Sequence, residues 1–228
     1  MSLAPESDPA PTSRGDATRE ALVQAAVSIF ARDGYHAVST RALARAAKVN
    51  QALINYHFGG KKGLYLAVFE FIAASMRSRI DPLADGLERQ LDEAPHDLSR
   101  AQRCALFLPS LMRICDGVLA LMLSEETEQW SQLIMREQQK PTAAFELLYQ
   151  SFMGRMLALL TRLVQVLRGE GDAKNARLVV VGILGQLLVW RAAREGVLRL
   201  MRWSDITDSE AAAVRQTVHR RIEALVYG

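Results

Sequence analysis

Five basic side chains, Arg41, Arg45, Lys48, Lys61 and Lys62, fall between residues 34 and 69, and that stretch holds no Asp or Glu. Positive charge without nearby carboxylates suits a surface that meets phosphates. Gln51, Asn55, Tyr56 and His57 are interleaved with it. Gln and Asn can each pair two hydrogen bonds with an adenine edge in the major groove. His and Tyr are better suited to holding phosphates than to reading bases. A basic face alone is common on soluble helical proteins. Here it coincides with polar side chains of the base-reading and phosphate-holding types, and the chemistry implied is recognition of double-stranded DNA.

Such side chains need short helices to present them. Leu43, Ala44 and Ala47 lie on one face of a two-turn helix that Ser39 or Thr40 can cap. Lys48 and Val49 make a turn, and Asn50 is a good N-cap for the next helix. In that helix Leu53, Tyr56 and Ala52 are expected to point one way, with Gln51, Asn55 and His57 outside. Gly59 and Gly60 break it, and Lys61 opens a longer helix whose N-terminus would clamp a phosphate. Two short helices across a tight turn form a helix-turn-helix unit.

Phe30, Gly34, Tyr35, Ser39-Thr40-Arg41, Leu43-Ala44, Val49, Tyr56, Phe58, Lys61, Leu64 and Ala67-Val68 resemble the TetR family of bacterial transcriptional regulators, over roughly residues 17 to 69. NYHFGGKKGLYLAV is the most telling piece. The resemblance implies that Thr40, Tyr56, His57 and Lys61 hold phosphates. It places Arg41, Gln51, Ala52 and Asn55 nearest base edges, and Leu43, Val49, Leu53, Phe58 and Leu64 in a small core. Lys48 stands where the family's turn commonly has glycine, so it must accept the backbone angle of that turn, and it can add a phosphate contact. The first helix, roughly Asp16 to Arg32, supplies Leu22, Ala25, Ala26, Ile29 and Phe30 as core.

The chain has 228 residues, half of them hydrophobic, and a net charge of +3. That is enough for one or two domains with a sizeable core. The basic charge is therefore local. Residues 1–15, rich in Pro, Ser, Ala and Asp, are expected to be a disordered arm, with Arg14 and Arg19 in reach of DNA. Residues 16–62 are expected to form the DNA-binding domain and 63–228 a helical effector-binding and dimerisation domain. The chain shows no signal peptide and no lipidation motif, and a cytoplasmic protein without a membrane anchor is expected. Cys104 and Cys115 would lie about 16 Å apart along one helix, too far to pair within it.

Beyond residue 80 strand signals are missing, so the fold class expected is all-α. Pro82, Pro95, Pro109, Pro141 and Gly169 to Gly171 punctuate helical patterns. Phe145, Leu148, Phe152, Met156, Leu159, Leu163 and Val166 step by three or four as one helix, which Leu160, Val164 and Leu167 widen. Leu178 to Trp190 is apolar nearly all round, yet too short to span a membrane. It needs cover on a second side, where Gly182, Gly185 and Val189 would meet a second subunit. Thr207-Asp208-Ser209-Glu210 reads as a capping box, followed by a seam of Val214, Val218, Ile222 and Leu225. That seam serves either a four-helix dimer interface, as the resemblance implies, or the monomer's own core.

Residues 130–153 and GVLRLMRWSDITDSE are similar to the C-terminal domain of the CecR-like subgroup of the TetR family. The family commonly encloses a small-molecule pocket whose filling releases the operator. Candidate lining is Phe107, Met112, Met122, Trp130, Ile134, Phe152 and Met156, which offer adaptable or flat apolar surface. Glu137 shares a helix face with Trp130 and Ile134, so its carboxylate either anchors a largely apolar effector or is paired internally with Arg113 or Arg155. The sequence holds no P-loop, no dinucleotide fingerprint and no HExxH. His36, His57, His96 and His219 lack ligand spacing, so neither catalysis, metal nor cofactor is expected. A thiol-based redox sensor and a dimeric helical interaction scaffold remain as rival functions.

Overall fold

The computed structural model describes residues 14–95, 97–169 and 171–227, so the expected arm lies outside them except for Arg14 and Gly15, which begin the first helix. Every regular element among the described residues is helical: α1 (Arg14–Ala37), α2 (Thr40–Ala46), α3 (Ala52–Phe58), α4 (Lys61–Glu93), α5 (Arg100–Leu123), α6 (Glu128–Gln139), α7 (Ala143–Leu148), α8 (Gly154–Arg168), α9 (Ala173–Ala192), α10 (Arg194–Met201) and α11 (Asp208–Tyr227). The chain divides into two compact units, 1–68 and 69–228. The boundary falls later than the expected one because Leu64, Tyr65, Ala67 and Val68 are buried and Tyr65 packs edge-on against Phe30, with ring centres 5.0 Å apart.

In the first unit Leu22, Phe30, Leu43, Ile54, Leu64 and Val68 have no exposed surface. Gly34 kinks α1 with φ of 79°. The buried position of α3 is Ile54, with Leu53 and Phe58 half-buried and Tyr56 81% exposed. The expected inward face of Leu53, Tyr56 and Ala52 is thus rotated by one residue. Seven residues make barely two turns, and spacing in so short a helix does not fix its phase.

In the second unit α5, α8, α9 and α11 enclose the core of Phe107, Leu111, Ile114, Leu159, Leu163, Val164, Ile183, Leu187 and their neighbours. Ser99 and Gln102 form a reciprocal capping box at the head of α5. At the head of α11 Glu210 accepts from both the N–H and the hydroxyl of Thr207, the Glu-to-backbone half of the capping box expected from sequence. Pro82 and Pro109, expected as breaks, lie inside α4 and α5, where each removes one backbone donor without ending the helix. The single helix expected from Phe145 to Val166 carries a π turn at Tyr149–Met153 between α7 and α8. A side chain at Gly154 would come within 3.1 Å of the Tyr149 carbonyl oxygen, which fits glycine at that turn.

The seam on α11 is monomer core. Val214, Val218 and Ile222 are buried within the chain, so the reading that gave them to a dimer is corrected. Gly182 faces inward as well, where a Cβ would touch the Leu225 methyls at 3.6 and 3.8 Å. Gly185 is open and Val189 is partly exposed. They lie beside Leu178 and Val181, which are 63% and 64% exposed, and Leu188. Positions 178, 181, 185, 188 and 192 step three, four, three and four along α9 and form one apolar stripe on its outer face.

Candidate nucleic-acid interface

The turn between α2 and α3 is built residue by residue. The Ser39 hydroxyl accepts the Ala42 N–H at 3.1 Å and starts α2. At its end the Val49 N–H reaches the Ala44 carbonyl and the Lys48 N–H the Arg45 carbonyl, at 3.0 and 3.1 Å. This is a Schellman closure, and its left-handed position is Lys48, with φ of 55°. Glycine would sit there without strain. The lysine accepts the strain and places a cation at the tip of the turn, where it is exposed. Asn50 Oδ1 accepts from the Ala52 N–H at 2.9 Å and opens α3. Gly59, with φ of 69°, closes it through a bond from its N–H to the Asn55 carbonyl.

Arg41, Arg45, Lys48, Gln51, Ala52, Asn55, Tyr56 and Lys62 are exposed, and Thr40, His57 and Lys61 are half-buried. Gln51 Nε2 donates to Thr40 Oγ1 at 2.8 Å, joining the first residue of α2 to the position just before α3. His57 stacks edge-on against Tyr56, with ring centres 5.0 Å apart. Lys61 Nζ turns inward, donating to the carbonyls of Tyr35 and Val38 at 2.8 Å each and standing 4.5 Å from the Tyr35 ring centre. A lysine expected as a phosphate clamp therefore also fastens the end of α1 to the start of α4. Arg45 and Lys62, not singled out as contacts from sequence, are exposed cations of the same run. Arg19 is stacked 5.4 Å from the centre of the Phe58 ring.

In the second unit an open cavity of about 360 Å³ is lined by Arg79, Ile80, Leu83, Ile114, Gly117, Ala120, Leu121 and Ser124. None of the expected ligand residues lines it. Phe107, Met122 and Met156 are buried in the core, and Met112 and Phe152 pack against it. Trp130 stands next to the cavity, with the Arg79 guanidinium 5.5 Å from its ring centre and Phe71 edge-on to it. Ile134 is half-buried on the same helix. Glu137 is buried, and its Oε2 accepts from the N–H and hydroxyl of Thr142 at 2.9 and 2.8 Å, which closes the turn from α6 to α7. Its carboxylate is satisfied within the fold. The two arginines expected near it are engaged elsewhere: Arg113 donates to Ser110, and Arg155 pairs with Asp81, Asp85 and Glu88.

Cys104 and Cys115 are both free. Burial, helped by the charge of Asp116, pushes the Cys115 thiol up to about 12, so it is not a ready thiolate. No group of His, Cys, Asp and Glu able to hold a metal occurs among the described residues. Two helices, α5 and α9, are long and apolar enough to cross a membrane by composition. The core positions of α5 account for its apolarity, and the outer stripe of α9 accounts for much of the rest.

A model for bacterial regulatory proteins of the tetR family matches residues 22–68, and one for the C-terminal domain of the HTH-type transcriptional dual regulator CecR matches residues 109–228. The HTH-type transcriptional dual regulator CecR of Shigella flexneri is 29% identical over 97% of this chain and 96% of its own length. Among solved structures, HlyIIR, a hemolysin II transcriptional regulator, superposes with a TM-score of 0.58 at 20% identity, over 94% of this chain and 99% of its own. FadR of Bacillus subtilis, in complex with stearoyl-CoA, gives 0.57 at 17% identity, over 91% and 97%. At those identities the two structures speak for the fold.

Proposed function

The chain belongs to the TetR family of bacterial transcriptional regulators and carries a CecR-type C-terminal domain, and we propose on that basis that it is a cytoplasmic homodimeric repressor. It binds a near-palindromic operator through two copies of α3 and releases it when a small, largely apolar effector fills the helical body. The observation that carries this reading is the exposed set on the α2–α3 unit: cations at positions 41, 45, 48 and 62, with the Gln51, Asn55 and Tyr56 side chains among them. Asn55 reads bases, with Arg41 and Ala52 beside it. Thr40, Lys48, Tyr56 and His57 hold phosphates. The second subunit covers the outer stripe of α9, Leu178, Val181, Gly185, Leu188 and Val189, and sets the two reading helices about one DNA turn apart.

Repression follows from occupancy: a dimer seated on an operator excludes other proteins from that stretch. Release requires that the effector bind better to a conformation whose two reading helices no longer match successive grooves. That the FadR structure holds stearoyl-CoA supports an apolar effector for this fold. A thiol sensor is disfavoured by the buried Cys115 thiol, and a pure scaffold by a cationic head free of carboxylates from residue 34 to 69.

Fluorescence anisotropy on the DNA upstream of the chain's own gene, against random DNA at two salt concentrations, tests the reading. Tight, salt-dependent binding with strong preference for the upstream fragment is expected. Absent or salt-insensitive binding to both would rule DNA recognition out. A reporter fused to the same promoter should rise when the chain is deleted; a fall would overturn repression.

A further inference from the structure

We propose that the cavity between α4 and α5 is the effector site and that it takes an amphipathic anion, a short apolar body ending in a carboxylate. This rests on the reading of the helical body as an effector-binding domain and names the ligand's chemistry.

The space is produced by small residues. Gly117 and Ala120 on α5 and Ser124, which caps its end, face Ile80 and Leu83 of α4 across the cavity. A Cβ placed on Gly117 would meet nothing within 4 Å. Glycine is a poor choice for a helix interior, and a larger residue there would fill the gap. The packing of α5 therefore leaves room where the helix itself would favour a side chain. The inner wall, Ile80, Ile114 and Leu121, is buried and apolar, and a volume of about 360 Å³ lies at the small end of ligand pockets.

Charge selects the head group. Arg79 is the one ionised side chain among the lining residues. Its guanidinium is fixed against the Trp130 ring and donates to Glu126 at 2.9 Å. That ion pair is at the surface, with both side chains substantially exposed, so exchanging the Glu126 carboxylate for a ligand's costs little. The freed Glu126 returns to water. Guanidinium and carboxylate match as a two-pronged pair, which gives the anion its preference over a neutral or cationic analogue. The other acids nearby, Glu125 and Glu128, act on Arg191, whose guanidinium donates to the Ser124 carbonyl at the cavity's edge. A second cation thus backs the polar end.

The test is calorimetric titration of the full chain, free of DNA, with octanoate, octan-1-ol and octylammonium. Octanoate should bind about tenfold or more tightly than the other two. Arg79→Gln should remove that preference, Glu126→Gln should raise octanoate affinity, and Gly117→Leu, whose Cβ enters open space, should abolish binding of octanoate. Octylammonium or octanol binding as well as octanoate would overturn the proposal. So would octanoate binding that Gly117→Leu leaves unchanged, or no octanoate binding at all. DNA binding of the ligand-free chain is measured separately. Its absence would remove the regulator reading while leaving the binding result to stand or fall by itself.

Discussion

Gln51 Nε2 donates to the Thr40 hydroxyl oxygen at 2.8 Å, across the turn that joins α2 to α3. Because that oxygen accepts from the amide, the hydroxyl's own proton is left to donate outward, the polarity a phosphate oxygen needs. On the proposed reading of this interface, Gln51 orients a phosphate donor and leaves base reading to Asn55.

Gln51→Ala and Thr40→Val should each weaken binding to operator and random DNA alike, by about 0.5–1.5 kcal/mol. The double variant should lose little more than either single one, which a double-mutant cycle by anisotropy measures directly. Asn55→Ala should behave differently, lowering operator affinity by roughly 1–3 kcal/mol with little change on random DNA. A Gln51→Ala loss confined to the operator would return Gln51 to the base-reading set.

Lys48 holds a left-handed backbone with φ of 55°, which costs an L-residue roughly 1–2 kcal/mol. Lys48→Gly relieves that, offset by the ~0.5–1 kcal/mol of extra chain entropy that glycine loses on folding. Urea denaturation should show a variant up to about 1.5 kcal/mol more stable. The same change removes an exposed cation, so DNA affinity should fall and the slope of log K against log salt should shrink by about 0.9. Opposite signs in the two measurements are the signature of strain kept for charge.

Cys115 carries an alkaline consequence. Its folded thiol titrates near 12 and its ordinary value is 9.0, so between these pH values the unfolded chain has lost a proton that the native chain keeps. The contribution is fully present below pH 9 and is lost as pH rises toward 12, by up to ~1.4 kcal/mol per unit. Cys115→Ala should flatten the fall of stability with pH relative to the parent over that window. Below pH 9 an exposed-thiol reagent should leave Cys115 unlabelled in the native chain.

The outer stripe of α9 predicts an assembly phenotype separable from folding. Val181→Glu places a charge on an exposed position, so a lone subunit should keep its stability while the dimer dissociates, seen by sedimentation. Val218→Ala, in the buried seam of α11, should instead destabilise the subunit by about 1–3 kcal/mol through the cavity it leaves.

Much of the head was legible because its residues carry local rules: the Ser39 and Asn50 caps, the Gly59-Gly60 break, and an acid-free run from residue 34 to 69. The phase of α3 was not, since Ile54 and Leu53 are equally apolar and two turns do not choose between them. In the body the apolar residues outnumber the rules. Val214, Val218 and Ile222 make the same pattern whether they face their own chain or another. The exposed heptad at 178, 181, 185, 188 and 192 was a signal available in the sequence, masked by an α9 that is apolar on nearly every side. The cavity was hidden because it depends on small residues, Gly117 and Ala120, standing opposite Ile80 and Leu83 in three dimensions. An apolar helix face tells that Glu137 needs a partner, but Thr142, which gives it two donors, lies five residues on in a turn whose shape the spacing does not give.

Lys61 separates two roles that sequence alone merges. Its ammonium makes two bonds of 2.8 Å to the carbonyls of Tyr35 and Val38, and an ammonium has three donors. One donor is left for a phosphate. Removing the side chain strands two half-buried carbonyls and loses the cation over the Tyr35 ring, so Lys61→Met should destabilise the chain by about 1.5–3 kcal/mol in urea. Its effect on DNA then depends on which role dominates. If Lys61 fastens the end of α1, affinity falls while the salt slope stays at the parent value, because no phosphate contact has gone. If it clamps a phosphate, the slope shrinks by about 0.9 as well. The inward geometry favours an unchanged slope. Lys62→Ala supplies the control: exposed on the neighbouring position, it should leave stability within about 0.5 kcal/mol of the parent. If it meets a phosphate, its replacement reduces the slope.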